Sequence, residues 1–280
     1  MLYKKGYNLK ISKFTHLGNS LVQLTNAIHV AIMTQSYLEM PSIGTDAETF
    51  DLLRGIPPFD FRKDNSCGVS LESKFFFKNE CFGLGEMSNI ERREILQNYI
   101  YDNLILDDMG NVDDDTLVIH IRSGDIFGGW VHGNYVQPPL SYYKKIIKES
   151  GKEKVLLITQ EDKKNPCVDG LLSWNNRVQL QTGSLSQDMT SILLAKELVI
   201  GFGTFGWMLS LMSKNINRLY TPEVNQDLFS SYFMRPPFAI KRYVFEDYIN
   251  IGEWKNTKDQ NSLMVEYPEN KIGEINAFES

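Results

Sequence analysis

From Thr116 to Ile121 the chain reads Thr-Leu-Val-Ile-His-Ile, an apolar, β-branched run without helical period. Such a run predicts a strand buried on both faces of a parallel sheet. Arg122-Ser123-Gly124-Asp125 ends it. Leu9 to Phe14 reads as a shorter strand. Beyond it, apolar residues at 21, 24, 28 and 31 keep the helical period, so the opening predicts strand, glycine turn at Gly18 and helix. Asp46 to Leu53 suits a short helix and Lys74 to Phe77 a strand, and Cys81 to Gly85 is rich in turn residues. Ser88 and Glu91 have capping-box spacing ahead of a helix to Tyr101. A hinge is expected near Leu106 to Asp115. Further on, the pattern predicts a helix from Leu140 or Ser141 to Glu149, a strand from Lys154 to Asp162 and another at Val178 to Leu180. A helix opened by Asp188, a strand at Leu198 to Ile200 and a helix from about Gly206 to Met212 follow, and Leu219 to Pro222 closes the sheet. Past Pro222 the strand-helix rhythm fades. Aromatics in Leu228 to Phe233 and Tyr243 to Tyr248 suggest helices, and the polar tail after Lys255 suggests part loop, part ragged end.

This alternation implies an α/β protein, and 280 residues with 42% hydrophobic content can form one large domain or two small ones. A net charge of −6 supplies no basic footprint, which argues against nucleic acid as a partner. Cys67, Cys81 and Cys167 are odd in number and lack metal-ligand spacing, which favours reduced thiols in a cytoplasmic compartment. Neither a secretory leader nor an apolar run of the roughly 20 residues needed for a membrane span is expected.

The candidate chemistry gathers at strand ends. His120 and Arg122 stand two positions apart, so both side chains leave one face of the pleat at the carboxyl end of the strand, where open α/β sheets bind ligands. The planar fork of Arg122 suits a diphosphate, Gly124 permits a sharp turn, and Asp125 can hold that turn or act as a general base, with Asp46 or Glu48 as rivals. His16 and His29 read as structural or exposed. The strand from Lys154 to Asp162 ends in polar residues that reach the rim, with Thr159 a candidate contact for the nucleotide sugar. Gly201, Gly203, Thr204 and Gly206 open a helix whose amides and hydroxyl form an anion nest. The glycine- and aromatic-rich loop Ile126 to Tyr135 is long enough to close over a ligand. Asp113-Asp114-Asp115 precedes its strand, the wrong end for a metal motif, and reads as a solvated turn. No strand after the first glycine turn is expected to end in an acidic residue about 20 positions on, which disfavours an oxidoreductase.

His120-Ile121-Arg122-Ser123-Gly124-Asp125 resembles the His-x-Arg-x-Gly-Asp motif of the α-1,2- and α-1,6-fucosyltransferase superfamily. Ile200 to Trp207 resembles that family's Ile-Gly-Thr-Phe-Gly segment, and Leu17-Gly18-Asn19-Ser20-Leu21-Val22-Gln23 resembles its Leu-Gly-Asn-Gln-x-x-Gln. The resemblance implies a GT-B-type α/β fold, two Rossmann-like lobes with a cleft between them: 1–112 on the acceptor side, 113–225 binding the nucleotide sugar, and 226–280 packing back across the lobes. It implies inverting transfer of fucose from GDP-fucose to an oligosaccharide or glycoprotein acceptor, with no metal or other cofactor. Implied roles are Arg122 on the β-phosphate, His120 near ribose or phosphates, Gly203, Thr204 and Phe205 on the diphosphate, Asp188 near the base, and Gly18-Asn19 closing from the other lobe. Two positions depart: Ser123 stands where the family usually has a second arginine, and Ser20 where it has glutamine. A fainter resemblance, to soluble glycosyltransferases that large algal viruses use on capsid glycans, keeps UDP-xylose open as donor and a host cytoplasm as location. A non-catalytic sugar-nucleotide-binding module on the same fold is the remaining reading.

Overall fold

The computed structural model describes residues 6–63, 68–76, 84, 87–106, 112–129, 131–223 and 238–276. Cys67, Phe77, Cys81, Phe82, Gly83, Gly85, Trp130, the hinge residues 107–111 and the aromatics of Leu228 to Phe233 lie outside them. The chain divides into two compact units, residues 1–107 with 231–236 and residues 108–230 with 237–280.

The first unit is a small sheet with one long helix. Strand β1 (Asn8–Ile11) leads into α1 (Leu17–Thr34), then β2 (Tyr37–Glu39), α2 (Ala47–Leu53), β3 (Phe59–Asp60), β4 (Ser70–Ser73) and α3 (Asn89–Ile95). The sheet order is β3-β2-β1-β4, with β1 parallel to both neighbours and β3 antiparallel. Helix α1 starts at Leu17, so Gly18 and Asn19 form its first turn instead of a turn ahead of it. Buried Leu17, Leu21, Leu24, Ile28 and Ala31 continue one apolar face. The strand expected at Lys74 to Phe77 lies earlier, at Ser70–Ser73. The Ser88–Glu91 capping box is present, and α3 passes into a π-helical turn over Leu96–Ile100.

The second unit carries the larger sheet. Its elements are β5 (Thr116–Ile121), α4 (Leu140–Ser150), β6 (Lys154–Thr159), α5 (Pro166–Leu172), β7 (Val178–Leu180), α6 (Leu185–Leu194), β8 (Glu197–Ile200), α7 (Thr204–Met212), β9 (Arg218–Pro222), β10 (Ala239–Phe245), α8 (Lys258–Glu266) and β11 (Ile272–Asn276). The seven strands run in the order β11-β10-β9-β8-β5-β6-β7, all parallel except β11. The chain builds from β5 outward through β6 to β7, returns, and builds the other way from β8. The strand order therefore reverses between β5 and β8, the crevice where doubly wound sheets take their ligands.

Pro222 does not close the sheet. Of the stretch expected to pack back across the lobes as helices and ragged tail, Ala239–Phe245 and Ile272–Asn276 add two strands to its far edge. Along β10 the buried residues are Ile240 and Tyr243, three apart, a spacing that imitates a helix in sequence. Pairing with β9, from Ala239 beside Arg218 to Tyr243 beside Pro222, settles it as strand. Among the described residues no helix is long and apolar enough to cross a membrane.

Candidate nucleotide-binding site

At the carboxyl end of β5 the chain turns through Ser123 into a short 3-10 segment, Gly124–Phe127. Arg122 leaves this end with its side chain 23% exposed. Its Nη2 donates to both carboxylate oxygens of Asp125, at 3.2 and 3.3 Å, and its guanidinium lies 4.4 Å from the centre of the Tyr135 ring. Asp125 is two-thirds exposed, so solvent screens this ion pair and its two partners can separate at little cost. A cation stacked on an aromatic face, held by one exposed carboxylate, can accept an entering anion without reorganising.

Gly203 is the N-cap of α7, with φ 132° and ψ 163°. Those angles are open to glycine alone. The absence of a side chain also lets Arg122 approach: a Cβ at 203 would stand 3.2 Å from its Nη1. The guanidinium thus lies against the amino end of a nine-residue helix, where the helix dipole favours negative charge. That helix begins at Thr204, earlier than the expected Gly206, which places Thr204 and Phe205 in its first turn. Gly206 serves packing, because a Cβ there would meet Ile200 Cγ2 at 2.7 Å and His120 Nδ1 at 3.3 Å.

His120 sits beneath this turn, its ring centre 4.9 Å from that of Phe205. Burial, and then the neighbouring Arg122 charge, push its imidazole down to about 4, so it is neutral near pH 7. It can support the helix start or offer one hydrogen bond. It adds no second positive charge.

The turn that aims Arg122 is fixed from the loop after β6. Gln160 Oε1 accepts from the Ser123 amide at 3.0 Å, and Asp162 Oδ1 accepts from the Ser123 hydroxyl at 2.7 Å and the Gly124 amide at 3.1 Å. The Asn165 amide donates to Ser123 Oγ, and Asn165 Nδ2 donates to the Arg122 carbonyl, both at 3.0 Å. Burial opposes ionisation of Asp162, yet the Ser123 hydroxyl, Lys164 and the Gly124 amide hold its carboxyl below the usual range. Ser123 is fully buried in this network, so the position that departs from the fucosyltransferase motif is an internal brace. Gln160, Asp162 and Asn165 escaped the sequence reading, whose one signal was that β6 ends in polar residues.

Tyr135 was likewise missed as a contact of Arg122, though its loop was noted. That loop is tied at Ile126, Phe127 and Gly133. Trp254 Nε1 donates to the Ile126 carbonyl at 3.0 Å, Asn256 Nδ2 to the Phe127 carbonyl at 2.9 Å, and the Gly252 and Trp254 amides to the Gly133 carbonyl at 3.0 and 3.1 Å. Residues 248–256 strap it down, with the Tyr248 hydroxyl donating to the Gln137 carbonyl.

Of the other expected residues, Thr159 ends β6 beside Ile121, and its buried hydroxyl has no partner among the described residues. Asp188 lies in α6, whose cap is Ser184 rather than Asp188, and accepts from Gln181 Nε2 at 2.6 Å. Gly18 and Asn19 belong to the first unit. Asp113 pairs with Lys154 at the amino end of β5, a solvated turn as expected, where the bonds from Lys154 and Thr116 hold its carboxyl down at about 2. Among the described residues no group of three or more His, Cys, Asp or Glu is placed to hold a metal ion.

No family model and no curated protein matches this chain. Among solved structures, the iron-containing dodecameric glycosyltransferase TibC from enterotoxigenic E. coli is similar at 15% identity, over 96% of this chain and 74% of its own, with a TM-score of 0.51. The ADP-heptose LPS heptosyltransferase II of E. coli gives 10% identity, 91% and 95% coverage and a TM-score of 0.45. The E. coli heptosyltransferase WaaC with ADP gives 9%, 79% and 88%, and 0.41. Identities this low speak to fold alone, and the TibC likeness carries that point. The chain has a GT-B-type α/β fold, two sheets in two units.

Proposed function

We propose that this protein is a glycosyltransferase that moves a sugar from a nucleoside diphosphate donor onto a hydroxyl of an oligosaccharide or glycoprotein. The observation that carries the reading is the Arg122 guanidinium lying against Gly203 at the start of α7, at the strand-order reversal. As the bond from the sugar's anomeric carbon to the β-phosphate oxygen breaks, its electron pair goes to the diphosphate. A guanidinium and helix-terminal amides fixed in advance stabilise that growing charge without reorganising. Arg122 contacts the leaving phosphate, Thr204 and Phe205 line the nest, Thr159 offers its unpartnered hydroxyl, and Asp188 orders the base side. The positive charge comes from the chain itself, so transfer proceeds without a metal, and attack opposite the leaving group inverts the anomeric centre.

The donor reading is GDP-fucose, supported by the likeness of residues 120–125 and 200–207 to fucosyltransferase motifs. Ser123 favours keeping UDP-xylose as a second donor. Its buried hydroxyl braces the turn where a fucosyltransferase would place another cation. The test is thermal stabilisation by GDP-fucose, UDP-xylose and an ADP-linked heptose, followed by release of nucleoside diphosphate with a glycan acceptor. A donor at about 100 times its Kd adds about 2.7 kcal/mol. Stabilisation with release, undiminished by EDTA, supports the reading. Stabilisation without release identifies a binding module, and neither with any donor overturns it.

A further inference from the structure

Two side chains orient the Arg122 guanidinium, and they differ in what an arriving diphosphate does to them. Asp125 accepts from Nη2 at 3.2 and 3.3 Å, long for a charged pair, and is two-thirds exposed. A phosphate takes the same N–H groups, so this contact is exchanged on binding. The guanidinium carbon also lies over the Tyr135 ring, 4.4 Å from its centre. A ring face attracts the cation through its quadrupole and does not compete for N–H groups as a carboxylate does. This second contact can persist while an anion is held.

Tyr135 has a fixed seat. Its amide donates to the His132 carbonyl at 2.9 Å, and its ring centre lies 5.4 Å from that of His132. Between the two, the Gly133 carbonyl accepts from the Gly252 and Trp254 amides. The backbones run so close that a Cβ at Gly133 would collide with the Gly252 carbonyl oxygen. Buried Trp254 meets Phe127 edge-on, with ring centres 5.5 Å apart, and donates to the Ile126 carbonyl. Asn256, which holds the Phe127 carbonyl, accepts in turn from Asn261 Nδ2 of α8 at 3.0 Å. On the other side of Tyr135, Val136 is buried and the Tyr248 hydroxyl bonds the Gln137 carbonyl. Tyr135 is therefore flanked on both sides by residues fastened to 248–256.

We propose that Tyr135 is a positioning residue of the donor site: clamped by residues 248–256, its ring holds Arg122 in the pose that receives the diphosphate. The proposal rests on the reading of Arg122 as the diphosphate contact. A contact made both before and after binding adds nothing to affinity directly. Its effect is on the cost of ordering Arg122. Without the ring, the long side chain visits other rotamers once Asp125 lets go, and the nucleotide must immobilise it. Immobilising one such side chain weakens binding roughly 3- to 10-fold.

The test titrates the full chain with GDP, UDP and ADP and compares wild type, Tyr135→Leu, Tyr135→Phe, Gly133→Ala, Arg122→Ala and the double variant R122A/Y135L. Y135L should bind the preferred nucleotide about threefold or more weaker. G133A, which drives the loop off Gly252, should weaken binding in the same direction. Y135F keeps the ring and should restore wild-type affinity. In the R122A background Y135L should cost nothing further, because the side chain it orders is gone. A smaller loss in Y135L, an undiminished loss in R122A/Y135L, or Y135F as weak as Y135L overturns the proposal and leaves the donor reading standing. If Y135L does not fold, G133A at wild-type affinity overturns it equally. R122A binding as tightly as wild type, or wild type binding none of the three, overturns the donor reading as well.

Discussion

Gly203→Ala puts the donor site under a controlled strain. Alanine at φ 132°, ψ 163° occupies a region essentially reserved for glycine, which costs about 1–3 kcal/mol. Its methyl would also stand 3.2 Å from Arg122 Nη1 and 3.5 Å from Cδ, so the guanidinium must give way by a few tenths of an ångström. Any such shift moves Arg122 on the Tyr135 ring, whose centre lies 4.4 Å from the guanidinium. Losing one well-placed charged hydrogen bond to a phosphate costs about 1.5–3 kcal/mol, on the order of 10- to 100-fold in affinity. All four tryptophans fall in the second unit, so their fluorescence during urea unfolding reads the stability of that unit. Titration with GDP or UDP reads the affinity. In an Arg122→Ala background, G203A should still lower stability by about 1–3 kcal/mol, because the backbone strain persists. Its extra effect on nucleotide affinity should disappear, because the displaced side chain is gone. Wild-type urea midpoint and wild-type affinity in G203A would refute the reasoning, since neither the strain nor the Arg122 contact would then exist.

Other perturbations probe other parts of the second unit. Arg122→Ala alone should abolish transfer while leaving the unfolding free energy within about 1 kcal/mol of wild type, because its carboxylate partner is exposed; retained turnover at saturating donor would exclude the role given to it. Burial holds the His120 imidazole at about 4 against an ordinary 6.5, so the unfolded chain takes up a proton that the folded one refuses. That contribution is complete above pH 6.5 and is lost as pH falls toward 4, by up to roughly 3 kcal/mol; urea midpoints across that window should slope in wild type and flatten in His120→Asn. Trp254→Phe removes the donor to the Ile126 carbonyl and should cost about 1–3 kcal/mol, with protease cleavage appearing first within residues 126–137. Burial pushes the Cys167 thiol well up, so it should resist a thiol reagent until the second unit unfolds, and rapid labelling of native protein would contradict its place in the core.

The distance between sequence and structure varies along the chain for physical reasons. Strands β5, β6 and β8 were legible because buried parallel strands write themselves as uninterrupted aliphatic runs. The Ser88–Glu91 cap was legible because it is local. Strand β10 was misread because only Ile240 and Tyr243 bury fully, and β11 because its polar stretch is strand only by pairing with β10. The loop after Asp125 advertised mobility through its glycines, but the bonds that fasten it come from residues more than a hundred positions later.

The sequence by itself determined which residues carry charge and hydrogen-bonding chemistry at strand ends, because alternation, capping and glycine placement act within a few residues. It determined that Arg122 and the 203–206 glycines would stand on one sheet. Only the tertiary structure decided what each of these groups is answered by. Ser123 became a brace and His120 a neutral support, because strands and loops distant in sequence enclose them. His16 and Asp46, thirty positions apart, became a pair because a bridge between two loops sets imidazole against carboxylate. Hydrogen bonds and desolvation depend on distances of a few ångströms, and the folded backbone sets those distances.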